Sequence, residues 1–214
     1  MLDKLKYKKY WRKSSLKKKE DGIFFLEHVR SKKPKSFLEI GVFHGVSSRN
    51  VCDLLHKMNG ENFKYFGVDL FLTDSKEFEE EFVPNFKFSN PLKNIYYKYI
   101  VNLNPYSVKS VQKLLKKYKK NINIIKGDSN NVLKNLNINE IDYVFLDGGH
   151  KYETVKKDLE LLTKVLENKG TILCDDYNLS YAPGVKKAID EFVSVKKLNI
   201  RILNARFAEL TKSF

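Results

Sequence analysis

The sequence predicts an α/β fold, an open and mostly parallel sheet with helices on both faces. Three observations predict it. Short apolar runs alternate along the chain with longer segments that carry apolar residues at helical spacing. The runs lack a polar face, as strands covered on both sides should. Each of the five main runs also has a carboxylate at or near its end: Glu39, Asp69, Asp128, Asp147, and Asp175 with Asp176.

Residues 1–22 read as a basic N-terminal arm and 23–214 as one domain, with an insertion at about 71–106. A short helix is expected from Asp21 to Val29, with Asp21 as its cap. Ser36–Ile40 is the first strand and runs into Gly41-Val42-Phe43-His44-Gly45. The next helix sets Val51, Leu54, Leu55 and Met58 on one face and ends near Gly60. Tyr65–Val68 is the second strand. Between the second and third strands, Ser107–Lys120 has helical spacing, whereas 71–106 is aromatic-rich with three prolines and reads as a lid or inserted element. Ile122–Ile125 and Ile141–Leu146 are the third and fourth strands. Val155, Leu159, Leu162 and Leu166 form a helical stripe, with Gly170 expected just past the helix end. Thr171–Cys174 is the fifth strand. A helix from Gly184 to Val195 leads to late strands near 200–203 and 207–211.

The formal charge of +14 invites a nucleic-acid reading. Its make-up argues otherwise. Thirty-five of the 40 basic residues are lysine, and arginine, suited to bidentate phosphate and guanine contacts, occurs five times. The first 36 residues carry a surplus of nine positive charges and the other 178 a surplus of five. A solvated lysine-rich arm is the simplest reading; weak docking to an anionic surface is the alternative. No apolar run is long enough to span a bilayer. Two cysteines without metal-type spacing fit a reducing, cytoplasmic setting.

In such a sheet ligands bind beyond the carboxyl ends of the strands. Aspartate there also caps following helices, which accounts for one or two of the five positions. A whole row of acids suits a ligand with hydroxyls, a positive centre or a metal. Gly41 and Gly45 are spaced G-x-x-x-G after Glu39, without the tight G-x-G pair of a pyrophosphate cradle.

The pattern Glu39-x-Gly41-x-x-x-Gly45-x-Ser47 resembles the first motif of class I S-adenosylmethionine-dependent methyltransferases. The run from Asp147 through Gly148, Gly149, His150, Tyr152 and Val155 to Asp158 looks like a D-G-x-H-x-Y-x-x-V-x-x-D signature. That signature is typical of the branch that includes macrolide-sugar O-methyltransferases, and Thr171–Tyr177 matches its tail. The resemblance covers about 23–200. It implies a Rossmann-like, seven-stranded sheet whose last strand inserts antiparallel, with dimers common among its members. It implies a cofactor site of Glu39, Gly41, Gly45, Ser47, Asp69, Asp128, Ser129 and Asp147, with Asp69 on the ribose hydroxyls and Gly127-Asp128-Ser129 at the adenine. It places Mg²⁺ on Asp147, Asp175 and Asp176. All-oxygen ligands favour such a hard cation, which would chelate neighbouring hydroxyls of a saccharide or other small polyol. His150, neutral beside a cation, would be the base and Asp147 its catalytic neighbour. His44 reads as a loop-surface residue, and His28 and His56 as helix-surface residues. The rivals are a nucleic-acid methyltransferase, which lacks an Asn-Pro-Pro-Tyr motif at the fourth strand, and a non-catalytic cofactor-binding protein of the same fold.

Overall fold

The computed structural model describes residues 4–72, 90–100, 104–135, 140–196 and 198–212. Of the predicted insertion, 73–89 and 101–103 lie outside them. Seven strands form one sheet: β1 (Ser36–Ile40), β2 (Lys64–Asp69), β3 (Ile122–Lys126), β4 (Ile141–Leu146), β5 (Leu166–Cys174), β6 (Leu198–Leu203) and β7 (Phe207–Lys212). Their order is β3-β2-β1-β4-β5-β7-β6. The first five are parallel, and β7 inserts antiparallel between β5 and β6, as the family resemblance implies.

Alternation along the strands sorts the core into two layers. Phe37, Tyr65, Tyr143, Phe145, Leu173 and Phe207 face α1 (Lys19–Lys32), α2 (Val46–Asn59) and α4 (Val108–Leu114). Phe37 stacks on Tyr143 at 5.0 Å and on Tyr65 at 5.9 Å. Leu38, Ile40, Val144, Leu146, Ile172 and Cys174 face the opposite layer. That layer comprises α5 (Ser129–Asn135), α6 (Tyr152–Val165) and α7 (Pro183–Lys196). Both cysteines are buried and unbridged. Among the described residues, no helix is long and apolar enough to cross a membrane.

Several local expectations are corrected. Helix α1 starts at Lys19 without a side-chain cap, and Asp21 in its first turn instead meets the Arg206 guanidinium at 3.2 Å. Gly170 does not follow a helix, because Leu166 already pairs with Ile141 and Gly170 lies inside β5. A Cβ there would sit 2.8 Å from the Ile141 carbonyl oxygen, so the glycine permits close strand approach. Residues 90–100 contain α3 (Pro91–Ile95) and a π turn (Tyr96–Ile100).

Residues 4–18 are not a free solvated arm. Tyr7 and Leu16 belong to the core. Asn50 on α2 grips the Lys8 backbone in both directions, at 2.9 and 2.8 Å. Arg12 donates to the carbonyls of His44, Pro105 and Ser110, tying the segment to the glycine loop and to α4. The lysines stay exposed while Tyr7 and Leu16 between them turn inward.

Candidate active site

The parallel ladder continues one step past the strands and aligns their ends. Gly41 N–H donates to the Val68 carbonyl, Gly127 to Asp69, Asp147 to Ile40, and Asp175 to Leu146, each at 2.9–3.0 Å. The strand-end acids therefore share one edge, yet their surroundings differ.

Glu39 follows Phe37 by two residues, so it points to the same layer, beneath the start of α2. It has no exposed surface and accepts hydrogen bonds from Ser47, Ser48 (2.8 Å) and Tyr65. Burial pushes its carboxyl up to about 7, against the pull of those three hydroxyls. Glu39 and Ser47 thus bind each other under the loop. Gly41 has φ +94°, and a Cβ there would lie 1.9 Å from the Asp147 carbonyl oxygen. Only glycine lets the first and fourth strand ends come this close. Gly45 caps α2 at φ +73°. His44 is buried rather than on the surface. Its Nδ1 accepts from the Lys13 amide at 3.3 Å, Phe43 stacks on it, and burial among cations lowers its pKa to about 3. His28 is also drawn inward, onto the Tyr143 hydroxyl at 2.7 Å.

Asp69 faces the loop. Its carboxylate accepts from the amides of Phe43 (2.7 Å) and Phe71 (2.9 Å) and from the Tyr106 hydroxyl (2.6 Å). Burial raises its pKa, with these bonds opposing. A carboxylate that already accepts one hydroxyl has the chemistry needed for a ribose diol. Asp128 caps α5 through the Asn131 amide at 3.1 Å, and Ser129 donates to Asp158 at 2.6 Å. This last contact explains the aspartate that closes the signature.

The densest charge lies at the ends of β4 and β5. Asp147, Asp175 and Asp176 offer oxygens all within 4.8 Å of one another. Asp147 Oδ2 is buried without a hydrogen-bond partner. Burial and the two like charges drive this carboxyl well above its usual range, with Ser15 and Arg206 opposing. Asp175 is clamped by Arg206, with Nε to Oδ1 at 2.5 Å and Nη2 to Oδ2 at 2.6 Å. Burial still lifts it to about 6. Asp176 adopts φ +58°, a left-handed conformation uncommon for aspartate, and holds three partners. His150 Nε2 lies 3.0 Å from its Oδ2, the Tyr181 hydroxyl donates to Oδ1 at 2.8 Å, and Arg206 approaches at 3.5 Å. Burial raises the Asp176 carboxyl, but these donors outweigh it and leave it below its ordinary value. His150 is half exposed, with Tyr181 edge-on at 5.8 Å. Gly184 allows the start of α7 to back onto the His150 carbonyl, where a Cβ would come within 2.7 Å.

Three clustered carboxylates, Asp147 partly buried and Asp175 and Asp176 buried, face one arginine, and the orphaned Asp147 oxygen is a ligand atom without a hydrogen-bond partner. The residues fit a hard divalent cation. Arg206 and Tyr181 were not found by sequence reasoning, and Tyr106 stands out there only as one of the aromatics of 71–106, expected in a core or interface. Arg206 sits in a turn between two late strands, where no periodicity marks it.

A family model described as a methyltransferase domain matches residues 38–177. A search of curated proteins returned no significant match. Among solved structures, the O-methyltransferase NovP is similar at TM-score 0.67 and 17% identity, over 90% of this chain and 81% of that one. The calicheamicin methyltransferase CalS11 is similar at TM-score 0.64 and 15% identity, over 89% and 78%. The methyltransferase PaMTH1 of Podospora anserina, solved with S-adenosylhomocysteine, is similar at TM-score 0.60 and 18% identity, over 92% and 80%. With the family model covering the glycine loop, Asp69, Asp147 and the Asp175-Asp176 pair on this seven-stranded sheet, the chain belongs to the methyltransferase domain family, as a class I S-adenosylmethionine-dependent enzyme.

Proposed function

We propose that this enzyme methylates a hydroxyl group of a small polyol, with a saccharide as the favoured class, and that Asp147, Asp175 and Asp176 hold a magnesium-type cation. The observation that carries this reading is the partnerless, buried Asp147 Oδ2 inside a triple carboxylate group beside His150. Similarity to CalS11, described as a TDP-rhamnose 3′-O-methyltransferase, supports the saccharide class.

When bound, S-adenosylmethionine supplies the methyl group and the cation supplies counter-charge that favours an ionised acceptor oxygen. The chain's own residues do the rest. Asp69 accepts from the ribose hydroxyls, which take over the donor role that the Tyr106 hydroxyl fills in the present geometry. Asp176 is an ionised acceptor beside His150 Nε2, so it orients the imidazole that serves as base for the acceptor hydroxyl. Tyr181 fixes the other Asp176 oxygen and walls one side of the imidazole. The main contribution of the site is to orient the acceptor oxygen toward the methyl group.

Calorimetry with S-adenosylhomocysteine tests the cofactor assignment. The wild type should bind and Asp69→Ala should not; equal binding by both would remove Asp69 from the site. Methyl transfer to a panel of sugars and nucleotide sugars, with and without EDTA, tests acceptor and cation. Activity that survives both EDTA and Asp147→Asn would overturn the cation role, and unchanged turnover in His150→Ala would remove the base.

A further inference from the structure

Trp11 is 76% exposed, and the Lys93 ammonium lies 5.4 Å from its ring centroid. This contact joins the N-terminal segment to α3 and the π turn. There Leu92 is 72% exposed and Ile100 71%, with Ile95, Tyr96 and Tyr99 also outward. Within the two segments that carry this apolar ground the charge has one sign. All eight lysines between residues 4 and 19 are exposed, and neither 4–19 nor 90–126 contains a single aspartate or glutamate. The one arginine of the segment, Arg12, is turned inward onto three backbone carbonyls. Through Arg12 the surface adjoins the glycine loop and therefore the mouth of the catalytic edge.

We propose that this face docks on an anionic lipid bilayer, so that the enzyme works at a membrane surface. Tryptophan and tyrosine suit the headgroup level, exposed leucine and isoleucine suit the acyl boundary, and lysines suit the negative surface potential. Single-stranded nucleic acid is a poorer match. It would use the aromatic rings for base stacking but would leave Leu92, Ile95 and Ile100 against water, and no outward arginine is available in 4–19.

Trp11 is the only tryptophan, so its fluorescence reports on this face alone. The intact protein is titrated with vesicles of phosphatidylglycerol and phosphatidylcholine, and with phosphatidylcholine alone. Anionic vesicles should shift the emission to the blue and co-sediment the protein, and added salt should weaken both effects. The double variant Leu92→Ser/Ile95→Ser, at positions exposed in the fold, should partition roughly tenfold more weakly, equivalent to about 1.4 kcal/mol. Lys6→Glu/Lys8→Glu, at exposed positions, should lose binding while unfolding at an unchanged temperature. Equal binding to neutral vesicles, or binding indifferent to both double variants, would overturn the proposal. So would a blue shift that grows with protein concentration without lipid, which marks a self-association face. A shift caused by a single-stranded polynucleotide but not by anionic vesicles would assign the face to nucleic acid instead.

Discussion

Glu39→Gln should flatten one component of the pH dependence of stability. Glu39 is fully buried under α2 with three hydroxyl donors, and burial holds its carboxyl at about 7 against an ordinary 4.5. The folded state therefore keeps this proton more tightly than the unfolded chain. The stabilisation is complete below about 4.5 and is lost as pH rises through about 7. Between pH 5 and pH 8 those two values imply a loss of roughly 2.5 kcal/mol from this one group. For a chain of this size that is a fall of roughly 5–10 °C in Tm. Glutamine is neutral throughout and close in shape, and the surrounding hydroxyls can rotate to meet its amide. Other groups titrate in the same window, among them Asp175 and His44, so the informative quantity is the difference between wild type and variant. Urea unfolding of both at pH 5, 6, 7 and 8 provides it. Parallel pH profiles would refute the assignment, as would a variant that gains stability on acidification more steeply than the wild type.

Arg206→Met removes the clamp on Asp175 and leaves three carboxylates without their arginine; a loss of roughly 3–5 kcal/mol is expected at pH 8 and a smaller one at pH 5, where Asp175 protonates, read by the same urea titrations. Tyr106→Phe deletes the hydroxyl on Asp69, and calorimetry should show S-adenosylhomocysteine binding tightened by roughly 2–10-fold, whereas weaker binding would make Tyr106 part of the cofactor site. Gly41→Ala drives a Cβ into the Asp147 carbonyl at a left-handed position, so thermal unfolding should show a loss above roughly 3 kcal/mol; a stable variant would mean that the loop relaxes freely.

The alternation of strand and helix was legible because short apolar runs ended on acids and longer ones kept helical spacing. The strand-end carboxylates were legible for the same reason: an acid beside a doubly buried strand has few places to go except the edge. What the sequence concealed depends on distant partners. The lysines of 4–18 suggest a solvated arm, but Tyr7, Leu16 and Arg12 bury themselves on groups far along the chain. Helix α5 begins Ser129-Asn130-Asn131 and carries no apolar stripe long enough to signal itself. His44 looked exposed within a glycine loop, and only the docking of Lys13 and Phe43 over it shows otherwise. Arg206 became meaningful only once the β6–β7 turn had been placed beside Asp175.

The interior position of β7 has a consequence for the order in which the enzyme is made. β7 follows every other strand in the chain, yet it fills a slot between β5 and β6. During synthesis β5 stands as an open edge carrying Ile172, Leu173 and Cys174 until residues 207–212 leave the ribosome. The turn that precedes β7 also delivers Arg206, so the carboxylate group waits for its counter-ion until the same moment. Closure of the sheet and charge balance at the strand-end carboxylates are thus one late event. A nascent chain stalled before residue 206 would be both adhesive and electrostatically unbalanced, a natural substrate for chaperones.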